Sequence, residues 1–450
     1  MYRLIVVIGV IFTLSPGLKA QEPADFNTIN KESYRLFLAG EWDSVIMVGK
    51  TALKQDIDYY YLRMRMGIAF HEKKNFRKAA CHFEKALDFN PGDPVAMEYL
   101  YYATILGGQT DLASLVREEF QGDLALKLSP SRGKFVDRLN VEYLHKQGLN
   151  SDLLADPDPL FEGLPPGVQY ITRHYSVASL SLSNFIIPGF RLNHTFSYLS
   201  KTNQQYYNDG QYVFQFTDQH VAQYQYYLSP VITTRSGTVF MPMIHLVSFQ
   251  YQAPAEMNQG YQGGSSQVML EYLKGFDFAT GLGFSKGFGT LNLQMGAWYA
   301  TLNNMEQVQN RLGVTWYPFG NLNLYAGGYL NSQYEMAGSR GVVRIIPEIN
   351  VGLGVAGKVW LDLNGAFGEM TNYLERNGLV VFNGFAEVIN KKITMTLSFP
   401  VTEKGSLLYL GGRWTANESR FYAFEPSQEE LTNNINYNAI SIYGGITWKF

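Results

Sequence analysis

From Tyr170 to the final Phe450, apolar side chains alternate with polar or small ones, a period of two that only extended strands produce. No other feature restricts the fold as tightly. The pattern is plain in Leu291–Ala300 (LNLQMGAWYA), Leu322–Tyr329 and Val359–Asn364. Segments of about 9–15 residues, longer than the five or six usual in soluble sheets, lie between turn signals. Examples of those signals are Asn208-Asp209-Gly210, Lys286-Gly287-Phe288-Gly289 and Pro318-Phe319-Gly320-Asn321.

A soluble sandwich or propeller would use shorter strands with a buried apolar face. A transmembrane barrel needs segments of about ten residues, an apolar outer face, a polar lumen and aromatic girdles. One face here carries Leu, Val, Ile, Ala, Met and Phe with almost no charge, whereas Asn292, Gln294, Asp362, Asn364 and Lys449 fall on the other. Trp316, Tyr317, Tyr443 and Trp448 stand near segment ends, where amphipathic rings suit a membrane interface. The barrel is therefore expected, with about 14 strands, 12 or 16 remaining open, and a lumen wide enough for water or inward loops.

The last residues, YGGITWKF, keep the alternation to the end. Tyr443, Gly444, Ile446, Trp448 and Phe450 resemble the C-terminal assembly signal of bacterial outer-membrane barrels. That likeness implies recognition by the barrel assembly machinery, insertion in outer-membrane lipid, and a C-terminus on the periplasmic side.

The beginning reads differently. Met1–Arg3, the apolar run Leu4–Leu14 and the breaker before Ala20 have the three parts of a secretory signal peptide (1–20). The apolar run is too short to span a bilayer core, and no cysteine follows Ala20. A helical domain is expected over 21–127, a linker with one short helix near Phe135–Gln147 over 128–167, and the barrel over 168–450. In the helical part, Gly67, Phe70, Ala79, Phe83, Ala86 and Pro91 have the spacing of a 34-residue helical hairpin repeat. Trp42 precedes Phe76 by one such period, and Gly107-Gly108 falls at the next turn. The segment resembles a tetratricopeptide repeat (TPR) array. The expected fold class is thus an N-terminal α-helical TPR solenoid followed by an antiparallel transmembrane β-barrel. In such an array Tyr34, Phe37, Tyr61, Met64, Ile68, His71 and Tyr102 would line the concave groove.

The whole resembles periplasmic repeats fused to an outer-membrane barrel, as in surface lipoprotein assembly modulators and YaiO-like proteins, with a Bacteroidota-type barrel. The resemblance implies a periplasmic domain that recruits a periplasmic or outer-membrane protein partner, with the barrel as scaffold or export path. The alternative is a pore for small solutes.

Chemistry is otherwise sparse. The net charge of −3 gives no reason to expect nucleic acid. The single cysteine, Cys81, excludes internal disulfides and cysteine-rich zinc sites. The literal G-x-G-x-x-G at Gly352–Gly357 runs into another strand, so no helix N-terminus is available for a phosphate. His194, His220 and His245 fall on separate strands, without metal spacing. A lipid-deacylating pair of His194 with Ser197 or Ser200 has no nucleophile motif behind it. No metal, cofactor or catalytic residue is expected. The stretches Asn203–Tyr207 and Asn417–Asn436 read as polar loops.

Overall fold

The computed structural model describes residues 25–127, 135–149, 163–208, 213–215, 218–254, 270–337, 340–355, 359–384, 387–402, 405–423 and 434–450. The expected signal peptide lies outside them. Seven helices come first among the described residues: α1 (Phe26–Leu38), α2 (Trp42–Lys54), α3 (Tyr60–Glu72), α4 (Phe76–Phe89), α5 (Pro94–Leu106), α6 (Thr110–Arg117) and α7 (Gly122–Lys127). Asp25, Asn75 and Asp93 cap α1, α4 and α5 with side-chain oxygens, and Pro94 occupies the first turn of α5, where its missing N–H costs nothing.

Strands follow: β1 (Val136–Gly148), β2 (Gly167–Ile187), β3 (Phe190–Asn208), β4 (Val213–Gln215), β5 (Gln219–Thr233), β6 (Thr238–Pro254), β7 (Leu270–Phe288), β8 (Leu291–Leu302) and β9 (Met305–Trp316). The rest are β10 (Leu324–Ala337), β11 (Arg340–Val355), β12 (Val359–Met370), β13 (Tyr373–Glu375), β14 (Val380–Phe382), β15 (Glu387–Pro400), β16 (Leu407–Ala423) and β17 (Asn434–Lys449). Fourteen of them form one antiparallel ring, which closes where β1 pairs with β17 from Arg138↔Lys449 to Gly148↔Ala439. β4 only extends β3, and β13 pairs with β14 alone.

The alternation sets the two faces. Met295, Leu312, Leu330, Ile345, Ile349 and Ile442 are exposed on the outside. Gln307, Gln309, Asn331, Gln333, Glu335 and Lys392 are buried on the inside. A closed ring leaves no unpaired strand edge in lipid, and an apolar outer band over a polar interior is that of an outer-membrane β-barrel. Among the described residues no helix is long and apolar enough to cross a membrane; strands do the crossing.

Four expectations change. The short helix near Phe135–Gln147 is strand β1, so the barrel starts well before residue 168. Charged residues obscure the period there, yet Val141 and Tyr143 face out while Leu144 and Lys146 are buried inside. Asn203–Tyr207 belongs to β3 with every side chain buried or nearly so. Asn417–Ala423 continues β16, with Asn417 and Ser419 in the interior.

The TPR solenoid is likewise not the fold of the N-terminal segment. The helices are short and sit outside the barrel; lengths of 13 or 14 residues through α5 fall to eight in α6 and six in α7. The third turn does not receive another repeat. Gly108 has φ +81°, and the Leu322 side chain of a barrel turn lies 2.8 Å from where a Cβ would stand. Gly108 thus serves contact with the barrel, whereas Gly107 packs on its own helix and on Arg77. The middle hairpin does pack closely, since the Phe83 ring fills the space where a Gly67 side chain would begin, 2.5 Å away.

Helices and barrel meet at the end bearing the short turns. Asn321 donates to the Lys74 carbonyl (2.9 Å), the Arg77 amide donates to the Gly320 carbonyl (3.0 Å), and the Arg77 guanidinium lies 3.6 Å above the Tyr317 ring. Arg191 pairs with Asp111 at 2.6 Å, and the Gly189 amide donates to Ser114 (3.2 Å).

Gly67→Ala should lower the unfolding temperature of the helices by an overpacking cost of about 1–3 kcal/mol. Far-UV circular dichroism should show this while the barrel keeps its heat-modifiable gel migration. A pH effect is also expected. Burial and the Arg63 guanidinium, 3.3 Å from Nδ1, push His82 down to about 4. The folded helices resist protonating His82, so their stability is full above about pH 6.5 and falls toward pH 4, by up to about 1.4 kcal/mol per pH unit. Denaturant titrations should show that slope reduced in His82→Gln.

Candidate functional site

Between β12 and β15 the chain does not form an external loop. Residues 371–384 turn into the barrel as the β13–β14 hairpin, with Tyr373↔Phe382 and Glu375↔Val380 in register. Arg376, Asn377 and Gly378 at its tip all have positive φ. Asn and Gly tolerate that conformation well, and Asn-Gly between two apolar runs is a strong hairpin signal. The sequence ERNGLVV carried this signal at 375–381, hidden among many similar strands.

Wall side chains take the place of neighbouring strands for the hairpin. Gln309 donates to the Leu374 carbonyl (2.6 Å) and accepts from its amide (3.0 Å). Gln307 donates to the Asn372 carbonyl and Gln333 to that of Thr371 (2.9 Å). Across the lumen, the Gly378 carbonyl lies 2.7 Å from His245 Nδ1, and the Asn377 carbonyl accepts from Tyr227 (3.1 Å). Asn383 donates to Asp277 (3.1 Å) and Asn372 to Glu335 (2.7 Å). Each bond contributes roughly 0.5–1.5 kcal/mol net of water.

Apolar seats complete the fit. Leu374 and Val381 pack with Tyr227, Met243, Val247 and Trp298. Tyr373 packs with Ile346, Met370 and Ile389, with the Phe382 ring 6.3 Å away across the hairpin. One buried charge pair fastens the hairpin to the wall, Glu375 to Lys392 at 2.6 Å, although the angles are not those of a hydrogen bond.

The hairpin divides the lumen. On the long-loop side a cavity of about 290 Å³ is lined by Tyr175, Leu199, Lys201, Phe249 and Glu387 from the wall and by Phe382 and Asn383 from the hairpin. On the short-turn side a cavity of about 480 Å³ is lined by Arg311, Glu348, Asp362 and Asn364 together with Glu375 and Arg376. Asp362 and Asn364 were legible as interior from alternation alone.

The expected partner groove does not assemble as one surface. Tyr34, Tyr61 and Tyr102 are exposed, and Arg65 lies over the rings of the first two at 5.0 and 5.8 Å. Met64 is buried, and Phe37, Ile68 and His71 pack among the helices, Phe37 against Trp42 and His71 between Phe76 and Tyr99. Phe70, Ala79, Phe83 and Ala86 are core residues of the helices, and Pro91 opens the turn before α5.

The C-terminal residues occupy the closing strand. Ile446 faces Val141 and Leu408, Trp448 faces Leu139, and the Phe450 amide donates to the Asp137 carbonyl (3.1 Å). Gly444 pairs with Tyr143 and Leu410. Tyr443 is no girdle residue: it points inward, its hydroxyl 2.5 Å from that of Thr396. His194 contacts the Tyr226 hydroxyl at 2.8 Å and, among the described residues, no serine; Ser197 faces the opposite side of β3. His220 lies 3.4 Å from Thr202. No group of three or more metal-ligating side chains occurs among the described residues.

No family model matches the chain, and no curated protein matches its sequence. Solved membrane barrels are similar to it in shape. The P. putida toluene transporter TodX has a TM-score of 0.43 at 9% identity, over 74% of this chain and 95% of that one. A Pseudomonas aeruginosa FadL homologue has 0.41 at 6%, over 70% and 90%. The Ralstonia pickettii toluene transporter TbuX has 0.40 at 7%, over 73% and 94%. So distant a likeness extends to barrel architecture and no further. With no family model and no curated sequence matching, nothing bears out the likeness to lipoprotein assembly modulators or YaiO-like proteins.

The expected reading as an export path is corrected by the chain's own lumen, which points instead to small solutes. With the hairpin seated, cavities of about 290 and 480 Å³ fall in the range of small-molecule sites, leaving no path for a polypeptide.

Breaking the Glu375–Lys392 pair from one side should loosen the hairpin, because a buried charge left alone costs about 3–5 kcal/mol. Lys392→Met should raise amide exchange across 371–384, and Lys392→Met with Glu375→Gln should restore most of the protection.

Proposed function

We propose that this protein is a pore for small solutes, with the β13–β14 hairpin as its internal gate. The carrying observation is the hairpin itself, a single connection seated across the lumen between two cavities. Its attachments are reversible in kind. Wall amides that now bind hairpin carbonyls would bind water once it withdrew, and such exchanges are nearly balanced. The two apolar clusters and the Glu375–Lys392 pair favour the closed state. Opening would join the cavities into one polar channel.

The orientation follows from the connections. Bacterial barrels keep short turns in the periplasm and long loops outside. The helices sit on the short-turn end, which supports a periplasmic domain beside the inner mouth. The gate then enters from the extracellular side. The closing strand, ending Tyr443-Gly444, Ile446, Trp448 and Phe450, suits recognition by the barrel assembly machinery.

Planar-bilayer recordings test the pore. Intact protein should show small or infrequent current steps, and replacing residues 371–386 by a short Gly-Ser linker should give large, sustained ones. If both forms leave the bilayer silent while the gel shift shows folded barrels, the lumen is no pore.

A further inference from the structure

We infer that the cavity on the long-loop side is a binding site for a small organic anion, a carboxylate carried on an aromatic or compact apolar body. This rests on the pore reading and names the solute class that enters first. The cavity is lined by three lysines, Lys146, Lys201 and Lys274, and one glutamate, Glu387, and the glutamate is already satisfied. Lys146, only 1% exposed, donates to Oε1 of Glu387. The Thr172 hydroxyl donates to Oε2 at 2.9 Å.

Lys201 is left over. It is 8% exposed and lines the cavity, yet its Nζ lies 3.7 Å from Glu387 Oε2 and makes no hydrogen bond among the described residues. An ammonium has three donors, and one buried without full compensation is costly. The cluster therefore carries one positive charge more than it neutralises, facing open space. One carboxylate from solution would satisfy both the charge and the donors. A cation would be repelled by the excess positive charge of Lys201 and Lys274, and a neutral solute would leave Lys201 as it is.

The remainder of the site selects the body. Tyr175, Phe249, Tyr251 and Phe382 supply ring faces, and Leu199 and Val221 supply aliphatic wall. A volume of about 290 Å³ sits at the lower end of ligand pockets, which suits a single ring or short chain. Because Phe382 and Asn383 belong to the hairpin, a bound anion touches the gate directly.

The test uses full-length protein in phosphatidylcholine nanodiscs, with benzoate as probe and benzamide as its neutral counterpart, followed by calorimetry and ligand-observed NMR. Benzoate should bind at least about tenfold more tightly than benzamide, the order expected of a charge-assisted hydrogen bond. Lys201→Met should lose that preference and Lys201→Arg should keep it, both with normal heat-modifiable migration. Equal binding of the two probes, or a Lys201→Met protein that still prefers benzoate, overturns the inference. A barrel that binds benzoate selectively but never conducts refutes the pore alone, and a conducting barrel indifferent to benzoate refutes this site alone.

Discussion

The structure depends on the pairing of β1 with β17. In hydrocarbon no water is available to an unpaired amide, so every spanning strand needs a neighbour on both sides. Eleven register pairs from Arg138↔Lys449 to Gly148↔Ala439 supply the last of these ladders. An even number of strands then brings Val136 and Lys449 to the same end. The helices, which precede β1, are obliged to emerge there, against the short turns. Contacts such as Arg77 with Tyr317 and Asp111 with Arg191 refine a placement that closure has already imposed.

Closure also creates the second problem, a lumen walled by polar side chains. Much of it is met by one connection folding inward, whose carbonyls and amides answer Gln307, Gln309, Gln333 and His245. The hairpin is thus held by interactions that water can replace, plus two small apolar seats and one ion pair. A core residue of a soluble domain has no such substitute. This difference makes the interior of the barrel a place where movement and solute entry are physically reasonable.

Reading these residues without the fold went astray in instructive ways. β1 reads as linker and helix because Asp137, Arg138, Glu142 and Lys146 obscure its alternation; in the barrel Glu142 and Lys146 turn to the lumen, and Asp137 meets Arg191 at the short-turn mouth. Asn377-Gly378 marks the hairpin's turn, but a local signal does not say whether a turn points outward or in. The tetratricopeptide pattern at Gly67 and Phe83 described a real close approach, but one well-packed hairpin does not make a solenoid. At its successor, Gly107-Gly108, the second glycine is set against Leu322 of the barrel.

What the sequence determined by itself was the clearest part of the periodic pattern: most strands with one apolar face, their approximate number, the change from helical to extended structure, and the interior position of Asp362 and Asn364. Alternation is a property of the backbone, so it survives without knowledge of neighbours. The tertiary structure alone decided what meets inside. Lys146 and Glu387 are 241 positions apart in the chain, Lys201 joins them from β3, and Glu375 reaches Lys392 only because its hairpin turns inward. Those encounters follow from ring closure and register, which no short stretch of sequence encodes.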